Sequence, residues 1–128
     1  MPYRVYIDDH HPNIIHNIYS GHITLQDYYD VIEKTYEMIR NTDGTVHTIL
    51  RYENVTSNPP DVMKVMREAS RTLPPNIGLR VVVADTPRAK VAASLAKMGR
   101  RLGMALTENI AVVKSIDEAY VAIKNSIA

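Results

Sequence analysis

Residues 46–73 read VHTILRYENVTSNPPDVMKVMREASRTL and predict a strand, a polar turn and an amphipathic helix in succession. The strand is expected over Val46–Glu53, where apolar and β-branched residues dominate. Residues 54–60 predict the turn, because proline cannot donate to a sheet ladder and suits the first turn of a helix. The helix is expected to bury positions 62, 66, 69 and 73, which are apolar and spaced to share one face.

Strand and helix patterns continue on both sides of this stretch. Two alternating segments, Tyr3–Asp9 and Ile14–Ser20, predict an opening β-hairpin. Further strands are expected over Leu79–Ala84 and Ile110–Val113. A capping hydroxyl before an apolar stripe predicts helix starts at Thr24, Thr86 and Ser115. The order β-β-α-β-α-β-α-β-α predicts an α/β fold, with a single-layer mixed sheet of about five strands and four helices, in which βα repeats follow the hairpin.

Composition indicates one soluble domain over residues 1–128, expected in the cytoplasm. The chain has no cysteine, which excludes thiolate chemistry, Cys-ligated zinc, Fe–S clusters and disulfides. No apolar run approaches the roughly 20 residues of a membrane span, and the first residues lack a signal-peptide core. A net charge of +1 gives no general attraction to nucleic acid. We therefore expect no cofactor, no membrane span and no nucleic-acid partner.

The polar turn before the central helix is the candidate functional site. Thr56, Ser57 and Asn58 precede a helix N-terminus, and Asp61 adds a charge that the helix dipole favours there. Unpaired N–H groups at such a terminus donate to an anion or to a phosphorylated hydroxyl. The alternative interpretation is that these residues only cap the helix and turn the chain.

The element order over nearly the whole chain, together with Tyr52-Glu53-Asn54-Val55-Thr56-Ser57, resembles the STAS superfamily. Its anti-sigma-factor antagonists carry an Asp-Ser-[Ser/Thr]-Gly-like sequence at this place, where a partner kinase phosphorylates the Ser or Thr. The matching positions are Thr56 and Ser57, which are followed by Asn58-Pro59 rather than by Gly. The resemblance implies a STAS-like fold and a non-enzymatic regulatory module that binds a protein partner, such as a kinase-like anti-sigma factor. The alternative that it implies is a STAS-like protein that binds a lipid or a nucleotide.

Two basic stripes extend the expected partner surface. A second copy of the chain, forming a homodimer, is an alternative partner. On the central helix the stripe residues are Lys64, Arg67 and Arg71, and on the next helix Lys90, Lys97 and Arg101. If the two helices are neighbours, the joint patch attracts an acidic partner, although a basic stripe is also what a solvated helix face looks like. The hypothesis therefore assigns partner binding to Asn54, Thr56, Ser57, Asn58, Asp61, Lys64, Arg67 and Arg71.

Other polar clusters give weaker signals. Thr86, Arg88 and Lys90 begin a helix after a strand and form a candidate anion site, but no nucleotide-binding motif accompanies them. Residues 8–11, DDHH, contain metal-binding residue types. Neighbours in a turn rarely converge on one ion, so we interpret them as a solvated hairpin tip and expect no metal site.

No catalytic set emerges from the sequence, so no enzymatic activity is expected. His16 and His47 lie on strands of the same predicted sheet, where they can face each other. We interpret them as a polar pair in the core or at the surface, because no nucleophile and no orienting acid accompany them. Tyr28, Tyr29 and Tyr36 lie on the apolar stripe of the first helix. They either pack in the core with their hydroxyls at its rim or line a ligand cavity between helix and sheet.

Overall fold

The structure, a computed structural model, describes residues 2–127 and the side chains of residues 2–126. The elements are β1 (Tyr3–Ile7), β2 (Ile14–His22), α1 (Leu25–Arg40), β3 (Val46–Ser57), α2 (Val62–Arg71), β4 (Ile77–Val83), α3 (Pro87–Arg101), a short 3-10 helix (Ala105–Thr107), β5 (Ile110–Val113) and α4 (Ile116–Ile127). This order confirms the predicted α/β fold with an opening hairpin, a mixed sheet and βα units.

The sheet has five strands in the order β1-β2-β3-β4-β5. β1 is antiparallel to β2, with Tyr3 opposite Tyr19 and Ile7 opposite Ile15. The other three pairs are parallel, and a helix joins the two strands of each pair. The hairpin therefore supplies the antiparallel edge that the sequence predicts.

Helices cover both faces of the sheet, but unequally. Helices α1, α2 and α3 pack against one face, where buried side chains of β2 and β3 such as Tyr19 and Tyr52 meet them. Helix α4 packs on the opposite face, where Ile49 of β3 and Val81 of β4 contact Ile123. Alternating side chains give each strand two faces to bury, and α1–α3 share one face because crossovers of the same hand between successive strands place their helices on the same side.

The local signals that predict helix starts are satisfied in the structure. Thr24 accepts the Asp27 N–H at 3.2 Å, and the Asp27 carboxylate accepts the Thr24 N–H at 2.9 Å, which completes the predicted capping box. Thr86 caps α3 by accepting the Ala89 N–H at 3.2 Å. The caps depend on residues three apart in sequence, which is why the sequence alone reveals them.

Two strands extend further than predicted, and the turn is correspondingly shorter. β3 ends at Ser57 rather than Glu53, and β2 ends at His22 rather than Ser20. The register of the pair shifts after Ser20, and Asn54 adopts a left-handed conformation with φ of 52°. Asn tolerates this conformation, so an irregularity at Asn54 lets pairing resume beyond the expected turn. The prediction of a continuous turn over residues 54–60 is therefore wrong.

Candidate functional site

Thr56 and Ser57 lie at the last pairs of β3, at the edge of the surface formed by α2 and α3. The Thr56 side chain is exposed, and its backbone carbonyl accepts a hydrogen bond from the Arg88 guanidinium at 3.0 Å. The Ser57 hydroxyl is half-buried and forms a hydrogen bond with the His22 ring. The Thr56 hydroxyl is thus the more accessible of the two.

The other turn residues that we expected at the site are divided between surface and interior. Asn54 is exposed, whereas Asn58 is half-buried and lines a partly open cavity. Asp61 is the N-cap residue of α2, but it has a left-handed backbone with φ of 65° and its side chain makes no capping hydrogen bond. Helix α2 therefore begins without the side-chain cap that Thr24 gives α1.

Helices α2 and α3 carry most of the positive charge of the chain. Their exposed Lys and Arg side chains, which we call the basic face, are Lys64, Arg67, Arg71, Arg88, Lys90, Lys97, Arg100 and Arg101. Eight cations against the single acid Glu68 give the two helices a net charge of +7, while seven cations against thirteen acids give the rest of the chain −6. Within residues 2–127, no cation of the basic face lies within ion-pair distance of a carboxylate.

The two basic stripes belong to one surface. Helices α2 and α3 contact each other, as the partner hypothesis requires. A surface groove lined by Arg67 and Arg71 of α2 also includes Leu102, the C-cap residue of α3. Leu102 is 64% exposed and Met98 is 50% exposed, so large apolar side chains lie among the cations. Such a surface combines charge with apolar anchors, as protein interfaces do.

The residues of the candidate anion site at the start of α3 have partners within the protein. The Thr86 hydroxyl caps the helix, and Arg88 donates to the Thr56 carbonyl. Lys90 is exposed and belongs to the basic face. Arg88 thus connects the start of α3, the candidate anion site, to the end of β3, where the sequence predicts the functional site.

A partly open cavity of about 70 Å³ lies between the sheet and helices α1–α3. Tyr28 lines it together with Tyr19 and Tyr52 of the sheet, and the Tyr28 and Tyr52 hydroxyls are 3.2 Å apart. Tyr29 and Tyr36 instead line a surface groove between α1 and α2. Tyr28 therefore lines a cavity between helix and sheet. Tyr36 instead packs in the core, and its hydroxyl donates to the backbone carbonyl of Ala69.

A buried polar cluster on the opposite face of the sheet links the hairpin to α4. The Asp8 carboxylate lies 2.7 Å from Nε2 of His16 and accepts a hydrogen bond from the Tyr120 hydroxyl at 2.5 Å. Its other oxygen accepts the backbone N–H groups of His10 and His11 at 2.9 and 3.1 Å. Residues 8–11 are thus a turn folded around one carboxylate rather than a set of free ligands.

The pKa values in this cluster are shifted in opposite directions. Burial alone would raise the pKa of Asp8, but hydrogen bonds from Tyr120, His16 and the His10 backbone outweigh it and hold that pKa well below its usual range. Burial and the neighbouring Asp8 carboxylate raise the pKa of Tyr120 to about 12. Asp8 is therefore the stable acceptor of the cluster and Tyr120 a stable donor.

The cluster resembles part of a catalytic triad but lacks its nucleophile. Within the described part of the chain, no Ser or Thr hydroxyl is hydrogen-bonded to Asp8, His16 or Tyr120. Nδ1 of His16 is buried and has no hydrogen-bond partner there. His47 does not pair with His16, because its Nδ1 accepts the Leu79 backbone N–H at 2.9 Å. We interpret the cluster as a clasp that fastens α4 to the hairpin.

Sequence reasoning missed one buried charge and one long-range contact. Arg80 lies in β4, lines the cavity and is 8% exposed, although that strand is otherwise almost entirely apolar. A charged residue inside a strand expected to be covered on both faces is a signal that the sequence does contain. The contact of Asp8 with Tyr120 has no such signal, because 112 residues separate the two.

In residues 2–127, no group of three or more His, Asp or Glu side chains is arranged to hold a metal ion. No helix of the described residues is long and apolar enough to cross a membrane. The chain matches no family model, no curated protein and no solved structure. The resemblance to the STAS superfamily therefore stays a prediction.

Proposed function

We propose that this chain is a non-enzymatic regulatory module that binds an acidic protein partner on its basic face. The observation that carries the proposal is the charge asymmetry, in which α2 and α3 hold a net +7 while the rest of the chain holds −6. A separation of this size steers and orients an oppositely charged partner, and it does so most strongly at low ionic strength.

Apolar side chains within the basic face support a docking role rather than simple solvation. Val91 and Met98 on α3 are 47% and 50% exposed, and its C-cap residue Leu102 is 64% exposed. A few buried anchor residues supply most of the affinity at protein interfaces, where Met and Arg are enriched, while surrounding charges set orientation and association rate. An acidic partner with apolar residues between its carboxylates complements this surface in both respects.

The end of β3 supplies a site at which binding is switched. Phosphorylation of Thr56 or Ser57 adds roughly −1.5 to −2 charges at neutral pH. The Arg88 guanidinium already lies against the Thr56 carbonyl, so the added charge falls beside the basic face. The expected effect is weaker binding of an acidic partner, which makes the partner kinase implied by the STAS resemblance a regulator of the complex.

The experiment is affinity capture with two charge-reversed variants of equal net charge. One variant carries Lys64→Glu, Arg67→Glu and Arg71→Glu on the basic face. The matched control carries Lys34→Glu, Lys114→Glu and Lys124→Glu, three exposed positions outside that face. Proteins that the wild type retains from its native extract are expected to be lost by the first variant and kept by the control.

Two results contradict the proposal. One is equal capture by the basic-face variant and the wild type, and the other is equal loss in both variants, which would reflect net charge alone. Ser57→Asp and Thr56→Asp address the switch separately. Unchanged affinity of both for the captured partner removes the phosphorylation switch and leaves the docking role in place.

A further inference from the structure

Arg80 is a buried cation for which the protein supplies no counter-ion. It lies in β4 between Thr48 of β3 and Ile110 of β5, and its side chain is directed to the face covered by α1–α3. Only 8% of the residue is exposed. Among residues 2–127, no side chain or carbonyl forms an ion pair or hydrogen bond with its guanidinium.

A guanidinium group remains charged at every physiological pH, so Arg80 cannot avoid the penalty of burial by losing its proton. Buried charges in proteins are normally paired, because an unpaired one is strongly destabilising. The charge of Arg80 affects a neighbouring tyrosine. Burial raises the pKa of Tyr52 well above its usual value, and the positive charge of Arg80 partly offsets that rise. The guanidinium therefore lies within the aromatic lining of the cavity with its charge unneutralised.

The cavity beside Arg80 is apolar apart from a few polar groups. Its volume of about 70 Å³ is several times the roughly 10–15 Å³ that one water molecule needs. The lining comes from the sheet, from the inner faces of α1–α3 and from the 3-10 helix, with Arg80 as the one charged residue among the described lining residues. Asn58 also lines it, and the buried side-chain oxygen of Asn58 has no hydrogen-bond partner in residues 2–127.

This combination defines the charge and shape of a complementary ligand. A single cation balances a single negative charge, whereas a phosphate dianion would leave a surplus negative charge in an apolar site. The planar guanidinium binds a carboxylate through two parallel hydrogen bonds. The apolar lining favours a compact hydrocarbon body, as in other small-ligand sites.

We propose that the cavity is a binding site for a small monocarboxylate with a compact apolar body, whose carboxylate pairs with Arg80. This ligand differs from the lipid or nucleotide that the STAS resemblance implies, because the cavity of about 70 Å³ suits a much smaller molecule. It does not depend on the proposed docking role, because the basic face is the outer surface of α2 and α3 and the cavity lies against their inner surface. Either conclusion can fail without the other.

The test uses the full chain and a set of simple probes. Acetate, propionate and butyrate are carboxylates small enough to suit a cavity of about 70 Å³, propionamide is a neutral analogue of propionate, and methyl phosphate is a dianionic analogue of acetate. Binding is measured by calorimetry and by the shift in melting temperature, since a ligand that binds only the folded state raises it. At least one carboxylate is expected to bind at least about tenfold more tightly than its neutral or dianionic analogue.

Substitution of Arg80 locates the binding. Arg80→Met keeps an apolar side chain about as long as the aliphatic stem of Arg and removes the guanidinium group, and it is expected to weaken carboxylate binding at least about tenfold. Arg51→Met is the matched control, since Arg51 is half-buried on the opposite face of the sheet and its guanidinium pairs with Glu53. Carboxylate affinity in that variant is expected to match the wild type.

A second variant keeps the test valid if Arg80→Met does not fold. Ala96→Leu retains Arg80 and fills the cavity that Ala96 lines, so it is expected to abolish carboxylate binding. The proposal is overturned if none of the three carboxylates binds the wild type. It is equally overturned if neutral and charged analogues bind alike, or if carboxylate affinity survives in the folded Arg80→Met or Ala96→Leu variant.

Discussion

Tyr120→Phe removes the hydroxyl that connects α4 to the opening hairpin, and the structure predicts how much stability this costs. The hydroxyl donates to the Asp8 carboxylate at 2.5 Å, where Asp8 is buried and Tyr120 is half-buried. A hydrogen bond to a charged group contributes roughly 1.5–3 kcal/mol to folding. Because His16 and two backbone N–H groups still satisfy Asp8, we expect the lower half of that range, about 1.5–2 kcal/mol.

Urea unfolding at neutral pH measures this loss as a change in the free energy of unfolding. Tyr3→Phe is the matched control, because Tyr3 is half-buried in β1 and its hydroxyl makes no hydrogen bond within residues 2–127. We expect the control to change stability by less than about 0.5 kcal/mol. Equal effects of the two substitutions, or no effect of Tyr120→Phe, would refute the interpretation of the cluster as a clasp.

The pH dependence of stability provides a second measurement on the same cluster. The pKa of Asp8 is depressed in the folded protein below its ordinary value of 3.8, so its ionised form stabilises the fold. That contribution is complete above the unfolded pKa and is lost as the pH falls through the folded pKa. Asp8→Asn is therefore expected to be less stable than the wild type at neutral pH, and the difference should narrow steadily below about pH 4. A difference that stays constant down to strongly acidic pH would contradict this assignment.

Three further substitutions test the packing and caps that position the elements. Gly78→Ala places a Cβ 2.5 Å from Nδ1 of His47, and we expect a loss of about 1–3 kcal/mol in urea unfolding, whereas retained stability would show that the His47 ring moves freely. Asn76→Ala removes an amide nitrogen that lies 2.8, 3.0 and 2.9 Å from three backbone carbonyl oxygens at the end of α1 and in the following turn, with an expected loss of about 2–3 kcal/mol that Asn76→Asp should not restore. Thr24→Ala removes the cap of α1 and should lower the free energy of unfolding by about 1 kcal/mol, with Thr24→Ser close to the wild type.

Sequence reasoning predicted the elements of this fold because their signals are local. The Thr24 and Thr86 caps each depend on a contact three residues away, and the stripe on α1 repeats every three or four residues. The end of β3 is harder to predict from the sequence, because turn-forming residues at positions 54–58 suggest that the strand stops before them. Pairing with β2 instead continues past Asn54 to Ser57.

Prediction of the candidate sites was limited by the distance between their parts. The sequence predicts the basic stripe on each of α2 and α3. That the two stripes form one face depends on the contact between the helices, which only the fold establishes. Asp8 and His16 are eight residues apart, yet their partner Tyr120 belongs to the last helix. Arg80 was visible as a charge within an apolar strand, whereas the absence of a counter-ion required the surrounding structure.

Hydrogen exchange of the protein with and without its captured partner tests the proposed docking role most directly. We expect partner-dependent protection in α2 and α3, over Val62–Arg71 and Pro87–Arg101, with α4 unchanged on the other side of the sheet. Protection confined to α4 or to the β1–β2 hairpin, with α2 and α3 exchanging as in the free protein, would contradict the proposal.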